Sequence, residues 1–339
     1  MAFRANDVLS ASLLTRLTEI RVHDPDYALR VAKTRERRVP LTRDGKLNIL
    51  AADHPARRVT SVGGNSLGMA DRHDYLARIV RVLMSSAVDG VMATMDIIED
   101  LLTLHDLLGD DGFLKDKLVI ASLNRGGLAG SSWEMNDPLT GASPATCAAW
   151  ELDGAKILLR LCDDEPDSLR TMVATASAIS ETNALHVPMF LEPLPVVKTE
   201  KGYKVAKTAD ALAKIVGVAS ALGDSSRYLW LKLPYCENYE VVARATTLPI
   251  LLLGGESVGD PTAFLREVSS GMAAGSNVRG ALVGRNVLYP GDDDPLAVAE
   301  AVGGIVHQNW MVEEAFALAK GVVREKESER QWRGQQERQ

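Results

Sequence analysis

The chain has 339 residues, 46% of them hydrophobic, enough to bury a large core in one big α/β domain or two smaller ones. Its formal net charge of −7 excludes broad electrostatic binding to nucleic acid or to an anionic lipid surface. Cys147, Cys162 and Cys236 stand far apart without ligand spacing, which excludes a disulfide framework or a cysteine zinc site and suits a reducing cytoplasm. The first residues carry Arg4 and Asp7 where a signal peptide would be apolar, and no uninterrupted apolar run has the length of a membrane span, so a soluble intracellular protein is expected.

In chain order, residues 1–46 read as a mostly polar helical extension, with helices from Val8 to Ile20 and from Tyr27 to Arg38 around a break at His23-Asp24-Pro25. Strand-like apolar runs then recur at Leu47–Ala52, Gly90–Thr94, Leu118–Ser122, Gly154–Arg160, Val187–Glu192, Tyr228–Leu233, Pro249–Leu253 and Gly280–Val283. Helical patterns separate them at Asp74–Ser85, Asp96–Leu108, Ser143–Leu152, Ser168–Thr182, Ala209–Leu222, Tyr239–Thr246 and Pro261–Ala274, and a last one covers Pro295–Leu318. Continuous apolar strands alternating with helices predict a parallel sheet, and eight such units predict a single (β/α)8 TIM barrel over 47–318. No Gly-x-Gly-x-x-Gly follows an early strand, which argues against a dinucleotide-binding open sheet. Residues 319–339 alternate in charge sign and read as a frayed tail.

In such a barrel the chemistry sits at the C-terminal strand ends. There the first strand runs into Asp53-His54, and the third into Asn124-Arg125-Gly126-Gly127. The fourth holds Lys156 and Arg160 inside an apolar run, the fifth ends on Glu192, and the sixth carries Lys232 just before Pro234. The seventh closes on Gly254-Gly255 and the eighth on Gly284-Arg285-Asn286. A lysine in an apolar strand either escapes to solvent at the strand end or is desolvated toward the neutral amine, the form that attacks a carbonyl. Two of them, Lys156 and Lys232, make protonating both more costly, and the carboxylates Asp53 and Glu192 supply proton acceptors. Each carboxylate also has a plainer role, Asp53 capping a loop and Glu192 neutralising a buried lysine. The glycine pairs suit either tight turns or, with Arg285 and Arg125 nearby, anion binding through backbone amides. Among the six histidines only His54 stands at a strand end, and none shows ligand spacing, so no metal is expected. Trp133, in the long loop after the third strand, is placed to cover the mouth or to lie on the surface.

These residues, taken in order from about 47 to 307, resemble the Schiff-base (class I) aldolases of the deoxyribose-phosphate and tagatose-bisphosphate aldolase superfamily. Asp53 resembles that superfamily's first-strand aspartate, and Gly154-Ala155-Lys156 its fourth-strand lysine segment in the tagatose enzymes. Glu192-Pro193 is similar to their fifth-strand glutamate, and Lys232-Leu233-Pro234 to the imine lysine. The ends at Gly254-Gly255 and Gly284-Arg285 look like their phosphate-binding loops. The segment after Lys232 departs from the tagatose pattern by lacking its acidic residue, which bears on the substrate more than on imine chemistry.

The segments 51–57, 124–130 and 245–255 look closer still to a bacterial aldolase-like family associated with myo-inositol breakdown. The resemblance implies cleavage of 5-dehydro-2-deoxy-6-phosphogluconate to dihydroxyacetone phosphate and malonate semialdehyde, without metal or organic cofactor. The implied catalytic set is Lys232, Glu192, Lys156 and Asp53, with Gly254, Gly255, Gly284, Arg285, Arg125 and Asn124 holding substrate and phosphate. A sulfonated sugar phosphate such as sulfofructose phosphate is the alternative substrate, admitted by Arg125 and Arg160. A barrel that binds sugar phosphate without turnover is the alternative of another class. The expected partner is a small sugar phosphate, with no nucleic acid or membrane, and the expected assembly is a homo-oligomer.

Overall fold

A computed structural model describes residues 3–109, 112–200 and 202–321. The strands are β1 (Leu47–Ala52), β2 (Gly90–Ala93), β3 (Leu118–Ser122), β4 (Gly154–Leu161), β5 (Met189–Thr199), β6 (Gly202–Val205), β7 (Leu229–Pro234), β8 (Ile250–Leu253) and β9 (Val278–Val283). Their order is β4-β3-β2-β1-β9-β8-β7-β5-β6, and β4 also pairs with β5, so all but β6 close into an eight-stranded ring. Every pairing inside the ring is parallel. With helices between the strands, this is the expected TIM barrel.

Strand parity explains why the strands read as unbroken apolar runs. Leu47, Ile49, Ala51, Met92, Leu118, Ile120, Phe190, Leu251 and Leu282 form one buried cluster, the filling of the barrel. Their alternates, such as Leu50, Val91, Val119, Ile157, Leu191, Leu231 and Ile250, belong to a second cluster beneath the helices. Both faces are dry, so both are apolar. Where β9 pairs with β1, Gly280 has a φ of +127°, and a Cβ there would collide with the Leu47 carbonyl, so no side chain is admitted.

The outer helices are α1 (Ala11–His23), α2 (Tyr27–Thr34), α3 (Arg72–Leu83), α4 (Met95–Leu107), α5 (Pro144–Ala149), α6 (Asp167–Ala184), α7 (Ala209–Ser220), α8 (Tyr239–Ala243), α9 (Thr262–Ala273), α10 (Arg285–Leu288), α11 (Pro295–Gln308) and α12 (Val312–Ala319). Asp71 caps α3 by accepting from the His73 and Asp74 amides, and Asp294 followed by Pro295 opens α11. The single helix expected over 295–318 is two. Asn309 turns left-handed (φ 54°), the Trp310 amide returns to the Gly304 carbonyl at 3.0 Å, and the indole lies where a side chain on Gly304 would stand. The tail expected over 319–339 lies outside the described residues from 322 onward.

The second departure is β6. The fifth strand does not stop at Glu192 but runs on through Pro193 and Pro195 to Thr199, then turns back antiparallel, pairing Val196 with Val205. Two prolines spaced by two place both missing N–H groups on one edge and leave the other edge able to donate. The hairpin carries Leu194, Val196, Tyr203 and Val205 onto Met135, Leu158 and Cys162, an apolar wall above the β4–β5 side of the barrel.

The N-terminal extension packs on the outside of α4, where Arg21 reaches Glu99 at 2.7 Å and Asp100 at 2.8 Å. Its following segment ties down the N-terminal ends of the strands. Asp89, just before β2, accepts from the Asn48 amide at 2.7 Å and pairs with Arg38 at 2.5 Å. Asp153, just before β4, accepts from the Val119 amide at 2.9 Å and pairs with Arg35 and Arg37. His307 of α11 joins Asp89 at 3.0 Å and Asp44 at 2.9 Å. Burial works against a charged imidazole, but the two carboxylates prevail and raise its pKa above the ordinary 6.5. A raised folded-state value gives stability that is complete below pH 6.5 and disappears as pH rises through that value. His307→Ala should therefore lower the unfolding free energy by about 1–3 kcal/mol at pH 6 and by clearly less at pH 9 in urea titrations. An equal loss at both pH values would refute the ionic role.

Candidate active site

Inside the barrel the apolar filling ends one layer below the mouth. Asp53 stands two residues beyond Ala51, Ser122 two beyond Ile120, Glu192 two beyond Phe190 and Lys232 two beyond Trp230, so strand alternation turns each of them inward. Lys156 is set by register, lying opposite Ser122 on one side and Phe190 on the other. Four strands thus deliver charge to one level above a hydrocarbon floor that includes Phe190 and Leu251.

The charges touch. Glu192 Oε2 lies 2.7 Å from Lys156 Nζ and 3.0 Å from Lys232 Nζ, bridging the two amines. Lys156 Nζ is also 3.4 Å from Asp53 Oδ2, which accepts from the Ser122 hydroxyl at 2.9 Å and pairs with Arg125. Lys156 is wholly buried, and Asp53, Lys232 and Glu192 are 1%, 5% and 8% exposed. At that depth each charge survives only through its neighbours.

Burial pushes the Lys156 ammonium down to about 8, helped by the like charge of Arg125 and resisted by Asp53 and Glu192. Burial alone would raise Glu192, yet Lys156, Lys232 and Arg125 outweigh it and hold the carboxyl at about 2. The same contest leaves Asp53 well below the usual carboxylate range, chiefly through Arg125 and Lys156. His54 is driven to about 3 by burial, so its imidazole is neutral at working pH. Asp53 Oδ1 and His54 Nδ1 are buried without partners among the described residues, which leaves an acceptor and a ring nitrogen at the level of the amines.

Not every predicted site residue joins this cluster. Asn124 spends its amide on the backbone, donating to Leu158 O at 2.7 Å and Asp137 O at 3.0 Å and accepting from Leu158 N at 2.8 Å. Arg125, by contrast, does join it, engaged with Asp53 rather than open to solvent. Arg160 binds Glu134 at 2.7 Å, and the same Glu134 oxygen receives Arg57 at 2.8 Å. That clamp ties the loop after β3 to the turn after β1 and to β4. Trp133, 49% exposed, donates to Gly126 O at 3.2 Å within the same loop.

The glycine ends lie across the mouth. Gly255 has a φ of +70°, and Asn286 donates to the Gly254 carbonyl, fixing the turn after β8. Arg285 opens α10 with its side chain 17% exposed and its nearest carboxylate, Glu256, at 3.8 Å. Gly284 has a second reason to lack a side chain: a Cβ there would stand 2.4 Å from His54 Cε1 and 2.5 Å from the Ala51 carbonyl. Ser122 was legible by parity with Ile120, whereas the pairing of Arg57 with Glu134 spans 77 residues and has no local signal.

Comparisons with known proteins agree with this architecture. The crystal structure of Cgl0159 from Corynebacterium glutamicum matches with a TM-score of 0.83 at 37% identity, covering 89% of this chain and 99% of that one. An archaeal fructose 1,6-bisphosphate aldolase matches with a TM-score of 0.60 at 19% identity over 83% of this chain and 99% of that chain. A Schiff-base-forming fructose-1,6-bisphosphate aldolase gives 0.57 at 19% over 78% and 95%. At that identity the two aldolases share the fold. By sequence, 93 residues are 37% identical to 2-amino-3,7-dideoxy-D-threo-hept-6-ulosonate synthase 1 of Archaeoglobus fulgidus, covering 27% of this chain and 34% of that protein, about a third of its length. Residues 45–305 match the family model described as Cgl0159-like, and the chain belongs to that Cgl0159-like family.

Proposed function

We propose that the protein is a class I aldolase, a carbon–carbon lyase that forms an imine at Lys232. The observation that carries this is the single Glu192 oxygen within 3.0 Å of both Lys232 Nζ and Lys156 Nζ in a buried cluster. A structural ion pair needs one amine per carboxylate. Here both amines crowd onto one Glu192 oxygen although a second carboxylate, Asp53, stands 3.4 Å from Lys156 with its Oδ1 unpartnered among the described residues, an arrangement that suits imine chemistry. The Schiff-base-forming aldolase that shares the fold lends support.

In this scheme the unprotonated Lys232 amine attacks the substrate ketone, and loss of water from the carbinolamine gives an iminium ion. That cation accepts the electron pair of the breaking carbon–carbon bond while a base takes the proton of the hydroxyl on the departing carbon. Glu192 moves these protons, and Lys156, poised at about 8, is the neighbour whose charge changes near neutrality. Asp53 Oδ1 accepts a substrate hydroxyl. The enamine left on Lys232 is protonated, and water releases it as the ketone product.

The substrate is a phosphorylated keto-sugar or keto-sugar acid, with 5-dehydro-2-deoxy-6-phosphogluconate the first choice and dihydroxyacetone phosphate the ketone product. Gly254, Gly255, Gly284 and Arg285 receive its phosphate, and holding that remote group positions the reacting ketone. Sodium borohydride added with dihydroxyacetone phosphate should leave a reduced adduct on the peptide containing Lys232, read by mass spectrometry. An unmodified Lys232 in a protein that binds the ligand would support the non-catalytic sugar-phosphate barrel instead.

A further inference from the structure

The hairpin that extends β5 brings one more cation to the mouth. Lys207, exposed on the connection between β6 and α7, places Nζ 3.6 Å from where a Cβ on Gly255 would stand. Its ammonium therefore hangs over the backbone of the diglycine turn. No hydrogen bond or ion pair holds it among the described residues, and Glu267 of α9 is the carboxylate that feels its charge. Beneath it the amides of Gly255 and Glu256 donate to no backbone carbonyl among the described residues. On the other flank stands Arg285, whose Nε is buried without a partner among the described residues and whose pKa burial lowers against the pull of Glu256, an exposed carboxylate 3.8 Å away that a bound phosphate would displace. Asn286 pins the turn from below through the Gly254 carbonyl.

We propose that Lys207 is a further, specificity-determining residue of the phosphate site already placed at the Gly254–Glu256 turn and Arg285, where it would face a phosphate monoester dianion. Lys207 is the residue that makes the site prefer phosphorylated over neutral ligands. The chemistry is complementary: N–H donors of the turn meet the phosphate oxygens, Arg285 offers a planar fork, and Lys207 a mobile point charge from above. Lys207 comes from the connection between β6 and α7 rather than from a barrel strand, so a bound phosphate would tie that connection to the rim. This deepens the aldolase reading and rests on its placement of the phosphate at this turn.

Inorganic phosphate titrated into the full chain, followed by phosphorus NMR or calorimetry, tests the site without any imine chemistry. Saturable binding is expected, with the dissociation constant rising about tenfold in Lys207→Gln, the loss of one charge-assisted contact. Lys207→Arg should stay within a few-fold. Lys214→Gln, which removes an exposed α7 lysine paired with Asp210, should not move it. Equal affinity in Lys207→Gln and the unaltered protein, a loss no larger than in Lys214→Gln, or the absence of saturable binding would each overturn the proposal. Borohydride trapping at Lys232 is independent of these titrations, so failure of the Lys207 contact and failure of the imine are told apart.

Discussion

Lys232→Met abolishes adduct formation with borohydride and lowers turnover by at least about three orders of magnitude, while the folded state survives. The first expectation follows from the chemistry, since the thioether has no nucleophilic nitrogen and the imine pathway is closed. The second follows from packing. Lys232 is 5% exposed, above the floor that includes Phe190 and Leu251, and methionine fills nearly the same volume without a charge to desolvate. Circular dichroism and urea titration should therefore show a protein as stable as the unaltered one, or more so. Retained turnover would remove Lys232 from the mechanism. Retained adduct would move the nucleophile to Lys156, the other amine on Glu192.

Glu192→Gln acts in the opposite sense, harming both activity and stability. The amide cannot carry a proton between the amines and the substrate, and losing a general acid–base group costs about 100- to 10,000-fold in turnover. It also strips two buried ammonium groups of the carboxylate they share, and breaking a buried pair from one side costs about 3–5 kcal/mol. The pH dependence gives the signature. With its folded-state value held at about 2 against an ordinary 4.5, Glu192 contributes stability that is present above pH 4.5 and is lost as pH falls toward 2. The unaltered protein should lose stability across that acid window, and the variant should lack this component. Parallel acid profiles for the two proteins would show that Glu192 is not held by the lysines.

The barrel was legible in sequence because both faces of its strands are dry, which turns half-buried alternation into the continuous apolar runs seen at Leu118–Ser122 or Leu229–Pro234. A charge inside such a run has nowhere to go but the mouth, so Lys156, Glu192 and Lys232 announced themselves. Three features had no such signal. The fifth strand was expected to end on Glu192, whereas the spacing of Pro193 and Pro195 lets β5 continue into a hairpin. The break at Asn309 depends on the indole of Trp310 finding the bare backbone of Gly304, a contact between turns that an apolar period hides. Glycines 254, 255 and 284 looked alike as phosphate ligands, whereas the structure gives Gly284 a separate steric task beside His54. Asn124 shows the converse error of position: it stands at a strand end, but its side chain is consumed in holding β4.

The apolar wall of Met135, Leu158, Cys162, Leu194 and Val196 has an electrostatic consequence. Hydrocarbon now bounds the charged cluster below and along one flank, and low-polarisability walls expel field lines toward the remaining aqueous opening. The cluster's excess of positive over negative groups, with Lys156, Lys232 and Arg125 facing Asp53 and Glu192, is therefore directed toward the open mouth of the barrel. On the proposed aldolase reading, an anionic substrate would enter by that opening with its charged end toward Arg285.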